Sequence, residues 1–300
     1  MSTEQVDPRY VSIDCWPSVS AVEAMLEGQM AAIAAIKSQV ATIASAAEAA
    51  ARRLGATGRL IYAGAGTSGR VAVQDGVELF PTYNWPRERL VFLMAGGSAA
   101  LTESVEGAED DAAAGREAVA QLGVEASDVV IGVAASGRTP YTLAVTEAAR
   151  EAGALTIGVA NNPGVGLLTK AEHAILADTG SEIVAGSTRM KAGTAQKAVL
   201  NLLSTTIMLR RGLVHQGLMV NMRVSNRKLR GRAEAMVSNI AGVSRDVAAA
   251  ALDRAGEEIR RAVLVALGAS ADEADDLLVA HDGALAGAMA ALRPRQAAEC

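Results

Sequence analysis

Three hundred residues, 50% of them hydrophobic, can bury the core of one large domain or of one domain with appendages. Aromatics make up only 3%, so alanine, leucine and valine have to fill that core, and the balance of 28 Lys and Arg against 33 Asp and Glu (net charge -5) argues against nucleic acid as a partner. The two cysteines, Cys15 and Cys300, stand at opposite ends of the chain, which excludes a disulfide framework and fits a cytoplasmic protein.

The opening MSTEQVDPRYVSIDCWPS has early acids and no apolar h-region, so no secretory signal is expected. No unbroken apolar run nears the ~18 residues of a membrane span, and no membrane partner is expected. His173, His215 and His281 lie far apart and suggest no metal site.

After Pro17, apolar residues recur at Leu26, Met30, Ile33, Ile36, Val40, Ile43 and Ala47, steps of three and four that predict one long helix or two consecutive ones, ended by Gly55. Residues 1–56 thus read as an N-terminal helical arm. Its stripe suits packing on a neighbouring subunit as well as on the chain's own core, or on that core alone.

From residue 57 the texture changes. The runs RLIYAG, RLVFLMAGG, SDVVIGVAASG, LTIGVANN and HAILADTG read as five strands, mostly followed by helical patterns. Near-continuous apolar strands predict an α/β fold: a five-stranded parallel sheet, flavodoxin-like, with helices on both faces, over residues 57–232. Ligands of such sheets collect beyond the carboxyl ends of the strands, so those turns are where chemistry is sought. Residues 233–300 read as a small helical module, because Ser244, Ala248, Leu252, Ile259 and Ala262 are echoed 26 residues later by Ser270, Ala274, Leu278, Leu285 and Ala288.

The first strand runs into Gly64-Ala65-Gly66-Thr67-Ser68-Gly69-Arg70, which matches the dinucleotide fingerprint G-x-G-x-x-G. A dinucleotide site also needs an acid at the end of the second strand, and RLVFLMAGGS ends in small residues. Gly66, Thr67 and Ser68 offer amides and hydroxyls at a helix start instead, a setting that suits a terminal phosphate. The third strand ends in a comparable turn, Ala135-Ser136-Gly137-Arg138-Thr139-Pro140, so Ser136, Gly137 and Thr139 are expected to grip the same phosphate from a second side. Without a ligand both turns would be plain helix caps. Arg70 and Arg138 are left to the scaffold.

The turns GAGTSGR and ASGRTP resemble those of sugar isomerase domains, which bind phosphosugars without a nucleotide. Asp75–Pro81 (DGVELFP), Val105–Asp111 (VEGAEDD) and Gly186–Lys197 (GSTRMKAGTAQK) narrow this further. From about residue 5 to at least 235 the chain resembles the N-acetylmuramic acid 6-phosphate etherase family, and its closing helices do so more loosely. Family members commonly carry Ser-Glu-Cys-Pro-Pro where this chain has Val77-Glu78-Leu79-Phe80-Pro81.

The resemblance implies removal of D-lactate from C3 of the sugar by elimination and addition of water, with no metal or other cofactor. It implies Glu78 as proton donor to the lactate and Glu109 as base, the two roles being exchangeable. An ordinary glutamate is too acidic to donate at neutral pH, so burial of Glu78 is expected. Glu182, Ser187, Thr188, Arg189 and Lys191 are expected to border the sugar pocket, and the protein is expected to be a homodimer. An aldose–ketose isomerase and a non-catalytic phosphosugar sensor are the rival readings.

Overall fold

The computed structural model describes residues 2–298. An arm of two helices, α1 (Ser18–Ala35) and α2 (Val40–Leu54), joined by a 3-10 turn, leads into β1 (Leu60–Gly64). Then follow α3 (Gly66–Val77), α4 (Leu79–Tyr83), β2 (Leu90–Met94), α5 (Ala112–Leu122), β3 (Val129–Val133), α6 (Pro140–Glu151), β4 (Leu155–Ala160), α7 (Gly166–Lys170), β5 (His173–Leu176) and α8 (Lys191–Arg210). The chain closes with α9 (Arg227–Ala241), α10 (Arg245–Arg254), α11 (Ile259–Ala266), α12 (Ala271–Ala280) and α13 (Leu285–Ala298).

Among the described residues the five strands form one parallel sheet in the order β2-β1-β3-β4-β5. β1, β3 and β4 are buried along their whole length, which is why each reads as a solid apolar run. The chain leaves β1 toward β2 and returns to β3 on the other side, so the strand order reverses between β1 and β3. The turns after these two strands flank that reversal, where open α/β sheets leave a crevice.

By contacts the chain divides into two compact units, one of 1–77 with 87–206 and one of 78–86 with 207–300. The first counts the arm with the sheet. Within the second, the short α4 is held by Asn221, which donates to the Tyr83 carbonyl, and Arg223 stacks over the Phe80 ring. The 26-residue echo corresponds to two helix pairs, α10–α11 and α12–α13. Ser244 caps α10 and Ser270 caps α12 in a capping box with Glu273, and the alanines and leucines of both pairs share one core.

The arm packs differently from its stripe. α2 turns Ile43, Ala46, Ala47, Ala50 and Leu54 inward and contacts β3, β4 and β5. α1 buries only Ala24, Gly28 and Ala32, leaving Leu26, Met30 and Ile33 exposed. Gly28 packs closely on Ile183, where a Cβ would lie 2.8 Å from the tip of the isoleucine side chain. Over Ser18–Leu54 the arm reaches a mean hydropathy of 1.4 in an 18-residue window, apolar enough by composition to cross a membrane, although Glu23, Glu27 and Lys37 interrupt it.

Asp128, wholly buried before β3, shows how charge is handled inside the first unit. It accepts bonds from the amides of Arg59 and Glu125 and from the Arg59 guanidinium. Burial alone would raise its carboxyl, but the Arg59 groups and the Glu125 amide outweigh that and hold it below the ordinary range. The stability it contributes is therefore complete above about pH 4 and is lost as pH falls through the lowered folded-state value. Asp128→Ala is expected to cost about 3–5 kcal/mol at neutral pH. Thermal melts at pH 7 and pH 3 check this, the gap between variant and parent narrowing in acid.

Candidate active site

The turn after β1 is built on glycines for two reasons. Gly66 has φ +52°, and Gly64 and Gly69 touch back to back, so that a Cβ on Gly64 would lie 2.8 Å from the Gly69 Cα and one on Gly69 would lie 2.3 Å from the Met94 sulfur. The contact brings the start of α3 directly onto the end of β1. Its first amides have no partner within the helix, and the helix end favours an anion. Thr67 and Ser68 are half-buried beside them.

The turn after β3 follows the same logic. Gly137 has φ +63°, and any Cβ there would run into Val165 at 2.1 Å. The Ser136 hydroxyl accepts the Arg138 amide at 3.1 Å, which leaves its own proton free to donate outward. Thr139 stands at the N-cap of α6 with no side-chain cap bond, ahead of Pro140.

A cavity of about 320 Å³ opens beside the first turn, lined by Ala65, Gly66, Arg70, Ser104, Glu106 and Glu109 among others. Glu109 and the glycine turn thus share one cavity. Arg70 gives its guanidinium to the carbonyls of Ala100, Leu101 and Glu103 and holds the cavity's far wall, a scaffold role. The third segment abuts the same turn: a Cβ on Gly193 in α8 would be 3.6 Å from the Thr67 methyl. Ser187 and Thr188 lie in the loop before α8, half-buried, and the Gly193 amide bonds the Thr188 carbonyl. Arg189 is exposed.

Three side chains sit differently from expectation. Glu182 is wholly buried and both its oxygens accept α8 amides, those of Lys191 and Ala192, so the carboxylate serves as a helix cap and is closed to a sugar. The Lys191 ammonium bonds the Ser181 carbonyl at 2.8 Å. Glu78 is exposed, because the α3–α4 junction turns Leu79 and Tyr83 inward and leaves Glu78 at the N-cap of α4 without a cap bond. Apolar neighbours in sequence did not bury it. It belongs to the second compact unit.

Sequence reasoning passed over four buried polar side chains. Asp75 takes bonds from the Tyr62 hydroxyl (2.8 Å), Asn201 (2.5 Å) and Ser204 (3.3 Å), which joins α3, β1 and α8. Burial first, and the Asp75 charge next, push the Tyr62 phenol well above its ordinary range, so it stays a donor. Asn161 and Asn162, at the end of β4, support the β3 turn: the Asn161 amide and the Asn162 side chain both bond the Ala135 carbonyl. Gln196 donates to Asn161. The paired asparagines after LTIGVA were the visible signal. Among the described residues no cluster of histidine, cysteine, aspartate or glutamate could hold a metal ion, Cys15 is exposed, and Cys300 lies outside the described residues.

A parallel sheet with glycine–hydroxyl turns on both sides of its strand reversal is the architecture of a sugar isomerase domain. Two family models match accordingly: the glucokinase regulatory protein N-terminal SIS domain over residues 39–149, and the SIS domain over residues 111–206. The chain is 46% identical over 282 residues to the N-acetylmuramic acid 6-phosphate etherase of Deinococcus radiodurans, spanning 94% of this chain and 92% of that one. It is 42% identical over 293 residues to that of Streptomyces avermitilis (97% and 94%) and 41% identical over 288 residues to that of Salmonella typhimurium (96% and 97%). The chain belongs to the N-acetylmuramic acid 6-phosphate etherase family and is a carbon–oxygen lyase.

Proposed function

We infer that this chain cleaves the D-lactyl ether of N-acetylmuramic acid 6-phosphate, giving N-acetylglucosamine 6-phosphate and D-lactate, with Glu109 and Glu78 moving the protons. The observation that carries the site is the cavity in which the first glycine turn and Glu109 meet beside the strand reversal. In the open-chain sugar C1 is an aldehyde, which acidifies the C2 hydrogen and leaves the ether oxygen on C3 β to the carbonyl. Glu109 removes the C2 proton, the C3–O bond breaks, and Glu78, exposed without substrate and therefore needing the bound sugar to shield it from water before it can donate, protonates the departing lactate. Water then adds to C3 of the unsaturated aldehyde and a proton returns to C2. The two steps sum to hydrolysis of an ether and leave no net change in oxidation state.

The phosphate is held by the amides of Gly66, Thr67 and Ser68 and the hydroxyls of Thr67, Ser68, Ser136 and Thr139, with Gly137 giving the second turn its shape. Ser187, Thr188 and Lys191 border the sugar, while Glu182 contributes by fixing the start of α8. The protein works in the cytoplasm as a homodimer, in which a second copy covers the exposed residues of α1. The sugar domain, with its N-terminal arm and closing helical module, acts as one chain. A bond from a neutral hydroxyl to a charged phosphate is worth about 1.5–3 kcal/mol. Ser136→Ala is therefore expected to raise the Kd for N-acetylglucosamine 6-phosphate at least about tenfold, a change calorimetry would read. The direct test is incubation of purified protein with N-acetylmuramic acid 6-phosphate, without added metal or nucleotide, followed by an assay for D-lactate. If no lactate appears, the reading fails.

A further inference from the structure

The first residues of the chain lie at the carboxyl end of the sheet. Thr3 is wholly buried, and its hydroxyl accepts the Asn162 side-chain amide at 3.1 Å. The same Asn162 nitrogen donates to the Ala135 carbonyl at 2.9 Å, and the Asn162 oxygen accepts the Ser2 hydroxyl at 3.0 Å. Ala135 immediately precedes Ser136, so this contact reaches the second phosphate turn through one intermediate side chain.

The other side of the segment is tied to the loop before α8. The Thr3 carbonyl accepts the Gly186 amide at 3.1 Å, and Asp7 accepts the Ser181 hydroxyl at 3.2 Å. Gly186 has φ +74°, and a Cβ there would lie 3.1 Å from the Glu4 carboxylate. Ser187 and Thr188 follow directly. One short stretch therefore joins two loops that the sequence places some fifty residues apart, each carrying residues assigned to the phosphosugar.

The geometry points to Thr3 as a positioning residue for the phosphosugar: through its hydroxyl and its carbonyl it fixes the spacing between the Ser136 turn and the Gly186–Thr188 loop. The inference rests on the site described above, since Thr3 acts only through those two loops. A single neutral hydrogen bond is worth about 0.5–1.5 kcal/mol, and its loss at a positioning residue appears as weaker binding. The hydroxyl carries one arm of the spacing and the backbone carbonyl the other, so removing the hydroxyl loosens the arm without cutting the segment free.

Thr3→Val, which keeps the shape and removes the hydroxyl, is expected to raise KM for N-acetylmuramic acid 6-phosphate about three- to tenfold with kcat nearly unchanged. Thr3→Ser should restore the parental KM. Ser136→Ala serves as the reference, because its weakening of N-acetylglucosamine 6-phosphate binding is required by the site itself. If Ser136→Ala weakens binding and Thr3→Val leaves KM alone, the inference about Thr3 is wrong and the site stands. If Ser136→Ala has no effect, the site assignment falls first. Equal losses in Thr3→Val and Thr3→Ser, matched by equal drops in melting temperature, would make Thr3 structural only. Should Thr3→Val not fold, Ser2→Ala carries the test through the neighbouring bond to Asn162, with a smaller rise in KM expected and an unchanged KM overturning the inference.

Discussion

Glutamine at position 78 or at position 109 is expected to cut lactate release, with kcat falling by about 10²–10⁴-fold in each variant while the 6-phosphate sugar still binds. Glutamine keeps the size of the side chain and its hydrogen-bonding reach but cannot exchange a proton at neutral pH, so the loss falls on the chemical steps. Binding should survive because the phosphate contacts proposed above fall to the glycine turns at Gly66 and Gly137, and neither glutamate belongs to them. The variants should also differ from each other. In deuterated water Glu78→Gln is expected to keep washing solvent deuterium into C2 of N-acetylglucosamine 6-phosphate, and Glu109→Gln to lose that exchange. Exchange lost in the first variant and kept in the second would swap donor and base, and full turnover by both would take the two acids out of the reaction.

Removal of the Asp75 carboxylate is expected to produce the largest loss of stability outside the Arg59–Asp128 pair. Asp75 is 3% exposed and receives three donors from two other elements, one from β1 and two from α8. Asp75→Ala leaves the Tyr62 hydroxyl and the Asn201 and Ser204 side chains without their acceptor. The Tyr62 and Ser204 hydroxyls are buried and cost about 1–3 kcal/mol each when orphaned, whereas Asn201 is exposed and can turn to water, so a total of about 2–5 kcal/mol is expected. Asp75→Asn should recover only part of it, since its amide nitrogen meets a donor. Chemical denaturation with a constant m-value reads the effect, and a change below 1 kcal/mol would show that the three donors find other acceptors.

Much of the fold was legible because buried parallel strands are written as solid apolar runs. RLIYA and SDVVIGV could be located without any alternation, and the chain from Leu60 to Leu176 follows the predicted strand–helix rhythm. The two glycine turns were legible for a related reason, since positive φ and close backbone approach leave few residue choices. What could not be read was the direction of single side chains. Glu78 stands among apolar residues in sequence, yet a junction between two short helices turns its neighbours inward and the acid outward. Glu182 looked like a pocket residue because it precedes a run of polar groups, whereas the unsatisfied amides of α8 claimed both its oxygens. The contact between Thr3 and Asn162 spans 159 positions and leaves no periodic trace. Likewise the arm's apolar spacing located its helices, but the buried face of α1 went to Ala24, Gly28 and Ala32, with Gly28 close against Ile183.

That choice has a thermal consequence. Leu26, Met30 and Ile33 lie exposed on α1, in a protein whose aromatic content is low. Contacts between such residues weaken on cooling, unlike the polar bonds that fix the turns at the carboxyl end of the sheet. Chilling a dilute sample should accordingly loosen whatever rests on this helix well before it disturbs the glycine turns beside β1 and β3.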